Sequence, residues 1–213
     1  MDNSENDRPR ETRPNGTLTP EEALALLMDG NRHFVDPAFV PRDYSVAAIA
    51  RDKLHYPIAG ILACGDARVG AELIFDRPPG DLFMVRLAGN ILSDYGQASL
   101  EYAVEFLGTP ILMVLGHTGC GAVTAAVEVV RNQTTLPGRL PELIDRIEPA
   151  VLYAQDQDPD NLLDAAIVEN VRRQTRRLRT ISPIVNAARE AGKLRVVGAI
   201  YDMDSGEVRL VDE

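Results

Sequence analysis

Residues able to hold a soft metal recur in this chain at the ends of apolar runs. The stretch Ile58–Val69 reads IAGILACGDARV, an apolar run that stops at Cys64, Asp66 and Arg68. A second run, Pro110–Leu115, stops at Gly116-His117-Thr118-Gly119-Cys120-Gly121. The chain contains 2 cysteines and 3 histidines, and both cysteines and one histidine occupy these two places. Two thiolates and an imidazole form a soft-to-borderline donor set that selects zinc over magnesium or calcium. Structural zinc sites are closed by four Cys or His ligands, whereas three protein ligands leave a position for water. Asp66 either fills that position or hydrogen-bonds the water there. The spacing of Cys64, Asp66 and Arg68 puts all three on one face of an extended backbone. Arg68 can then hold Asp66 through a bidentate contact, leaving zinc to carry a hydroxide nucleophile. Each signal has a plainer reading alone. A buried Cys is often an inert small hydrophobe, an Asp-x-Arg pair is often a simple ion pair, and H-x-x-C arises by chance. Their convergence at two strand ends is what points to a metal.

The elements around them read as α/β. Thr19, Pro20 and Glu22 form a capping box that opens a helix over Thr19–Phe34, with Leu24, Leu27 and Met28 as its apolar stripe. His33 near its end reads as a solvated or helix-capping histidine. Apolar strands over Ile58–Ala63, Leu82–Val85 and Pro110–Leu115 alternate with helices over Ala71–Phe75, Tyr95–Leu107 and Ala122–Val130. Strands apolar throughout and alternating with helices predict a mostly parallel central sheet flanked by helices. Helices follow over Glu142–Ala154, Asn161–Arg179 and Ile184–Ala191, and Leu194–Tyr201 with Val208–Val211 reads as a C-terminal edge hairpin. In such sheets ligands bind beyond the carboxyl ends of the strands, where Cys64 and His117 fall. Cys120 sits where the next helix opens, a place that favours the thiolate.

Composition bounds the function classes. A net charge of -10 in 213 residues argues against a nucleic-acid groove or a basic membrane patch. The run Arg172, Arg173, Arg176, Arg177 and Arg179 reads as a solvated helix face pairing with acidic neighbours. No apolar run approaches the roughly 20 residues of a membrane span, and the polar N-terminus is no secretory signal. So few cysteines make no disulfide framework, which suits a cytoplasmic protein. Residues 1–17 are expected to be a disordered polar tail, and 18–213 one domain.

The motifs C-x-D-x-R (Cys64, Asp66, Arg68) and H-x-x-C (His117, Cys120) resemble the β-class carbonic anhydrases. So do Glu22–Val35, Pro79–Asn90, Ser99–Gly108, Glu169–Gln174 and the Tyr201-Asp202…Gly206 end. The resemblance implies zinc on Cys64, His117 and Cys120, with Asp66 and Arg68 as the dyad that gates the fourth position. Asp66 would itself be a ligand when that gate is closed. It places His55, Phe83, Ala88 and Tyr102 around a small substrate pocket, His55 standing where the family often has a glutamine. It implies reversible hydration of carbon dioxide to bicarbonate and a proton. It also implies a homodimer or higher homo-oligomer, whose N-terminal helical arm reaches the partner.

The chain departs from the family pattern at Gly65, Ala67 and Leu87, and Ile61 replaces the tryptophan of members regulated by bicarbonate. Arg86 and Tyr201 match that regulatory site, but the missing tryptophan argues against its presence here. Hydrolases of carbonyl sulfide or carbon disulfide resemble the same family and offer an alternative substrate. A zinc-binding protein without catalysis, closed by Asp66, is the third reading.

Overall fold

The computed structural model of the chain describes residues 18–40, 42–51 and 56–212. The expected tail and His55 lie outside these residues. Strands β1 (Ala59–Ala63), β2 (Leu82–Arg86), β3 (Ile111–His117), β4 (Arg195–Tyr201) and β5 (Val208–Asp212) form one sheet in the order β2-β1-β3-β4-β5. The first four run parallel and β5 returns antiparallel, so the mostly parallel sheet with a C-terminal edge hairpin is as expected.

Both faces of the sheet are covered, which is why its central strands are apolar at every position. Ile61, Ile111, Met113, Leu115 and Val197 pack beneath α1 (Pro20–Phe34) and α3 (Ala71–Ile74). Leu62, Leu112, Val114, Val196 and Ile200 pack on the other face. There they meet α4 (Asp94–Glu105), α5 (Gly121–Asn132), α8 (Leu162–Ile181) and α9 (Pro183–Glu190).

The capping box of α1 is present, with the Glu22 amide donating to Thr19 Oγ1 at 3.2 Å and the Thr19 amide to Glu22 Oε2 at 2.8 Å. Ala23, Leu24 and Leu27 bury against the sheet of their own chain. Asn31 fastens the end of the helix. Its Nδ2 donates to the carbonyls of Ile74 and Gly206 at 3.2 and 2.9 Å, and its Oδ1 accepts from the Val208 amide at 2.8 Å.

Three local readings differ from expectation. A helix α2 (Val46–Arg51) precedes β1, where its short span gave no clear periodicity. The helix expected over Glu142–Ala154 is two helices, α6 (Leu140–Ile144) and α7 (Glu148–Asp156). Pro149 is the cause, because proline starts a helix but cannot continue one. His33 is half-buried and does not stand free. Its Nδ1 lies 2.8 Å from Asp76 Oδ2, and Asp76 is buried. Asp76 also receives Arg42 Nε at 3.1 Å, so a buried carboxylate ties the segment after α1 to the end of α3.

Two of the α8 arginines pair with carboxylates, one on the same helix and one on β5. Arg173 Nε is 2.9 Å from Glu169 Oε1, and Arg179 Nη1 is 2.9 Å from Asp212 Oδ1. Among the described residues no helix is long and apolar enough to cross a membrane.

Candidate metal centre

β1 and β3 lie side by side with Ala63 opposite Leu115, so their carboxyl ends open at the same level. From β1 the chain crosses to β2 on one side, and from β3 to β4 on the other. A crevice at such a reversal is where open α/β sheets hold ligands. Cys64 follows β1 directly, His117 is the last residue of β3, and Cys120 caps α5. Their donor atoms all lie within 4.8 Å of one another, and all three residues are buried.

The donors fit zinc. The two sulfurs are 3.9 Å apart. Two thiolates at about 2.3 Å from one tetrahedral zinc stand about 3.8 Å apart. His117 Nδ1 is spent on the Thr118 carbonyl at 2.9 Å and on Met203 Sδ at 3.2 Å. Its Nε2 is buried with no hydrogen-bond partner among the described residues. A buried ring nitrogen without a partner is costly unless something else takes its lone pair. Fixing Nδ1 as the protonated nitrogen leaves Nε2 free to do that.

Asp66 and Arg68 reach the site differently from the extended geometry expected. β1 ends at Ala63, and the Val69 amide closes a turn onto the Asp66 carbonyl at 3.0 Å. The turn sends Cys64 inward and Arg68 outward, their exposures being 5% and, for the Arg68 side chain, 65%. The pair still forms. Arg68 Nε and Nη2 donate to Asp66 Oδ1 and Oδ2 at 3.0 and 2.8 Å, and the Arg68 amide adds a third bond at 3.0 Å. The Arg68 side chain and amide hold the Asp66 carboxyl well below the usual carboxylate range. Asp66 is therefore an ionised acceptor turned to Arg68, and it stands outside the Cys64–His117–Cys120 cluster.

The two thiols are driven in opposite directions, Cys64 downward and Cys120 upward. Contact with Cys120 lowers the Cys64 pKa most, and contact with His117 and with the amides of Asp66 and Gly89, the latter at 3.4 Å, adds to this against the cost of burial. Cys120 moves upward through its contact with Cys64 and its burial. The amides of Ala122 and Val123 at the start of α5 pull the other way, as the helix N-terminus predicts, but are outweighed. Two thiols this close do not both ionise unaided. A divalent cation between them would remove that conflict.

Arg86 is engaged with the same loop. Its Nε donates to the Cys64 carbonyl at 3.1 Å and its Nη2 to the Asp66 carbonyl. Of the expected pocket residues, Phe83 and Tyr102 stand with ring centroids 6.3 Å apart, and Phe106 extends the strip 5.2 Å beyond Tyr102. Tyr102 is 50% exposed, so this apolar surface is open on one side. Ala88 lies beside Gly65, where a Cβ would come 3.7 Å from the Ala88 amide nitrogen. Sequence reasoning missed the roles of Gly89, Thr118 and Met203. The Ala88-Gly89-Asn90 turn carries a signal in its glycine, which adopts φ 67. Met203 offered none, since it reaches His117 only through the β4–β5 turn.

A sequence model of the carbonic anhydrase family matches residues 59–208. The chain belongs to that family. Carbonic anhydrase 2 of Mycobacterium tuberculosis is 35% identical over 196 residues, covering 91% of this chain and 93% of the relative. Among solved carbonic anhydrases, the β-carbonic anhydrase CafA of Aspergillus fumigatus superposes with a TM-score of 0.63 at 29% identity, covering 75% of this chain and 78% of the other. A β-carbonic anhydrase of Sordaria macrospora, described as tetrameric, shares the fold with a TM-score of 0.69 at 20% identity, covering 85% and 90%. The β-carbonic anhydrase resemblance read from the motifs therefore holds across most of the chain.

Proposed function

We propose that this chain catalyses the reversible hydration of carbon dioxide to bicarbonate and a proton, with zinc held by Cys64, His117 and Cys120. The observation that carries the reading is one cluster of two sulfurs and a free imidazole nitrogen beside a carboxylate held by arginine. Zinc, when bound, supplies Lewis acidity and a source of hydroxide near neutral pH. The chain's own residues do the rest. Arg68 keeps Asp66 ionised and aimed, so its remaining lone pair, on Oδ2, can accept a hydrogen bond from a proton-bearing oxygen at the rim of the site. Because Arg68 engages both of its oxygens, Asp66 would not be a ligand to a metal held by Cys64, His117 and Cys120. Phe83, Ala88 and Tyr102 offer apolar surface to a small linear substrate that brings no hydrogen-bond donor. His55 would contribute a ring nitrogen to the same pocket.

The open side of that pocket supports a homo-oligomer. Phe83, Tyr102 and Phe106 run along edge strand β2 and helix α4, and an exposed aromatic strip beside a sheet edge suits a second copy of the chain. Two free cysteines committed to a metal suit the cytoplasm.

Stopped-flow hydration with a pH indicator, run beside carbon disulfide hydrolysis, tests the reading. Carbon dioxide turnover that is lost in Cys64→Ala supports it. Hydrolysis of carbon disulfide alone would overturn the substrate, and a zinc-loaded protein turning over neither would overturn catalysis.

A further inference from the structure

The turn that donates to Cys64 is itself held from behind. The Gly89 amide points at Cys64 Sγ at 3.4 Å, while the Gly89 carbonyl accepts from Asn170 Nδ2 at 2.9 Å. Asn170 Oδ1 accepts from Gln174 Nε2 at 3.2 Å, and Gln174 Oε1 accepts from the Leu92 amide at 3.1 Å. Asn170 and Gln174 stand four residues apart on α8, so they share one face of it. Their buried neighbours on α8 are Ala166, Ile167, Val171 and Leu178, with Glu169 and Thr175. Asn170 is 1% exposed and Gln174 5%. Two primary amides in such a layer are costly to bury unless their donors and acceptors are used. Here they grip the turn at Gly89 and again just past it, at Leu92. The turn cannot retreat on its other side either. A Cβ on Gly89 would come 2.6 Å from Ile147 Cδ1 and 3.2 Å from Ala122 Cβ.

We infer that Asn170 and Gln174 are positioning residues for the metal centre, holding the Gly89 amide on the Cys64 sulfur. The inference rests on the Cys64–His117–Cys120 centre proposed above. An N–H donated to a thiolate fixes the direction of its lone pairs and withdraws charge from the sulfur. It thereby sets how the ligand meets a metal and how much charge reaches it. α8 touches no metal ligand through this pair. It acts through one glycine.

Cobalt(II) substituted into the full chain reads this directly, because the thiolate-to-cobalt charge-transfer band follows the donor strength of the sulfur. Asn170→Asp keeps the shape and the acceptor for Gln174 but replaces the donor to Gly89 with an oxygen. Its band is expected to move to lower energy, with zinc affinity falling roughly ten- to hundredfold. Gln174→Met, which removes the outer link, is expected to give a smaller move in the same direction. It carries the test where the aspartate variant does not fold. Thr175→Val is the control, since that buried hydroxyl bonds only the Val171 carbonyl within α8, at 2.8 Å, and its band should stay in place. A folded Asn170 or Gln174 variant with the parent band and parent zinc affinity would overturn the inference. An unsubstituted chain that shows no thiolate-to-cobalt band would overturn the centre, and this inference with it.

Discussion

Both oxygens of Asp66 face the Arg68 fork, at 3.0 and 2.8 Å, although most of the Arg68 side chain is in water. An exposed ion pair adds little to stability, so its value must lie in where it aims the carboxylate. Arg68→Ala is expected to leave the fold intact and to free Asp66 to turn toward the metal ligands. Carbon dioxide hydration near neutral pH should then fall by roughly a hundredfold, the scale of a misplaced catalytic group. Arg68→Lys should fall between the two, because lysine keeps the charge but not the planar fork. Stopped-flow rates of the three proteins would decide it, and an Arg68→Ala rate equal to the parent's would refute the role. The types and spacing of Cys64, His117, Cys120, Asp66 and Arg68 were legible in the chain because each closes or follows an apolar run. The geometry joining Asp66 to Arg68 was not. Alternation assumes that the strand continues, and here a turn begins after Cys64.

At the scale of elements, α1 and the β4–β5 hairpin are fastened to each other by Asn31. Its three bonds reach backbone groups of residues 74, 206 and 208, and the side chain is buried. Asn31→Ala strands those groups, which should cost on the order of 2–4 kcal/mol in urea unfolding. A loss within error would mean that water replaces the amide.

The hairpin turn also carries Met203 to His117. Asp202 shapes it by accepting from the amides of Asp204 and Ser205 at 2.9 Å each, and these donors lower its pKa. A carboxylate stabilised in the fold contributes stability that is complete above its unfolded value of 3.8 and is lost as pH falls below it. The difference in melting temperature between the parent and Asp202→Asn should therefore be constant above about pH 5 and shrink toward acid. A difference that grows toward acid would contradict the sign. The strands, the closing hairpin and the helices other than α2 were readable from apolar runs and their punctuation. The division of α6 from α7 depended on giving Pro149 its full weight, and the Asp76 contacts of His33 are between residues distant in sequence that no local pattern reveals.

For the whole molecule, the sheet sets the site between β1 and β3, while the aromatic strip at the β2 edge leaves the site open to one side. Tyr95 on α4 and Phe106 at its C-cap are 89% and 67% exposed, large apolar side chains of the kind that a second copy would cover. If a second copy closes the pocket as proposed, Phe106→Glu is expected to shift the sedimentation coefficient toward a monomer and to reduce hydration activity with it. A parent chain that sediments as a monomer with full activity would contradict this. The proposed assembly is implied by the family resemblance alone, since one chain's periodicity says nothing of what meets its edge.

The measurement that bears most directly on the central claim is hydration of carbon dioxide by one preparation, followed through metal removal and return. The account predicts turnover in the zinc-loaded protein, its loss on chelation, and its recovery when about one zinc per chain is restored. Turnover that survives complete removal of the metal would contradict the assignment of Cys64, His117 and Cys120 as the centre of the reaction.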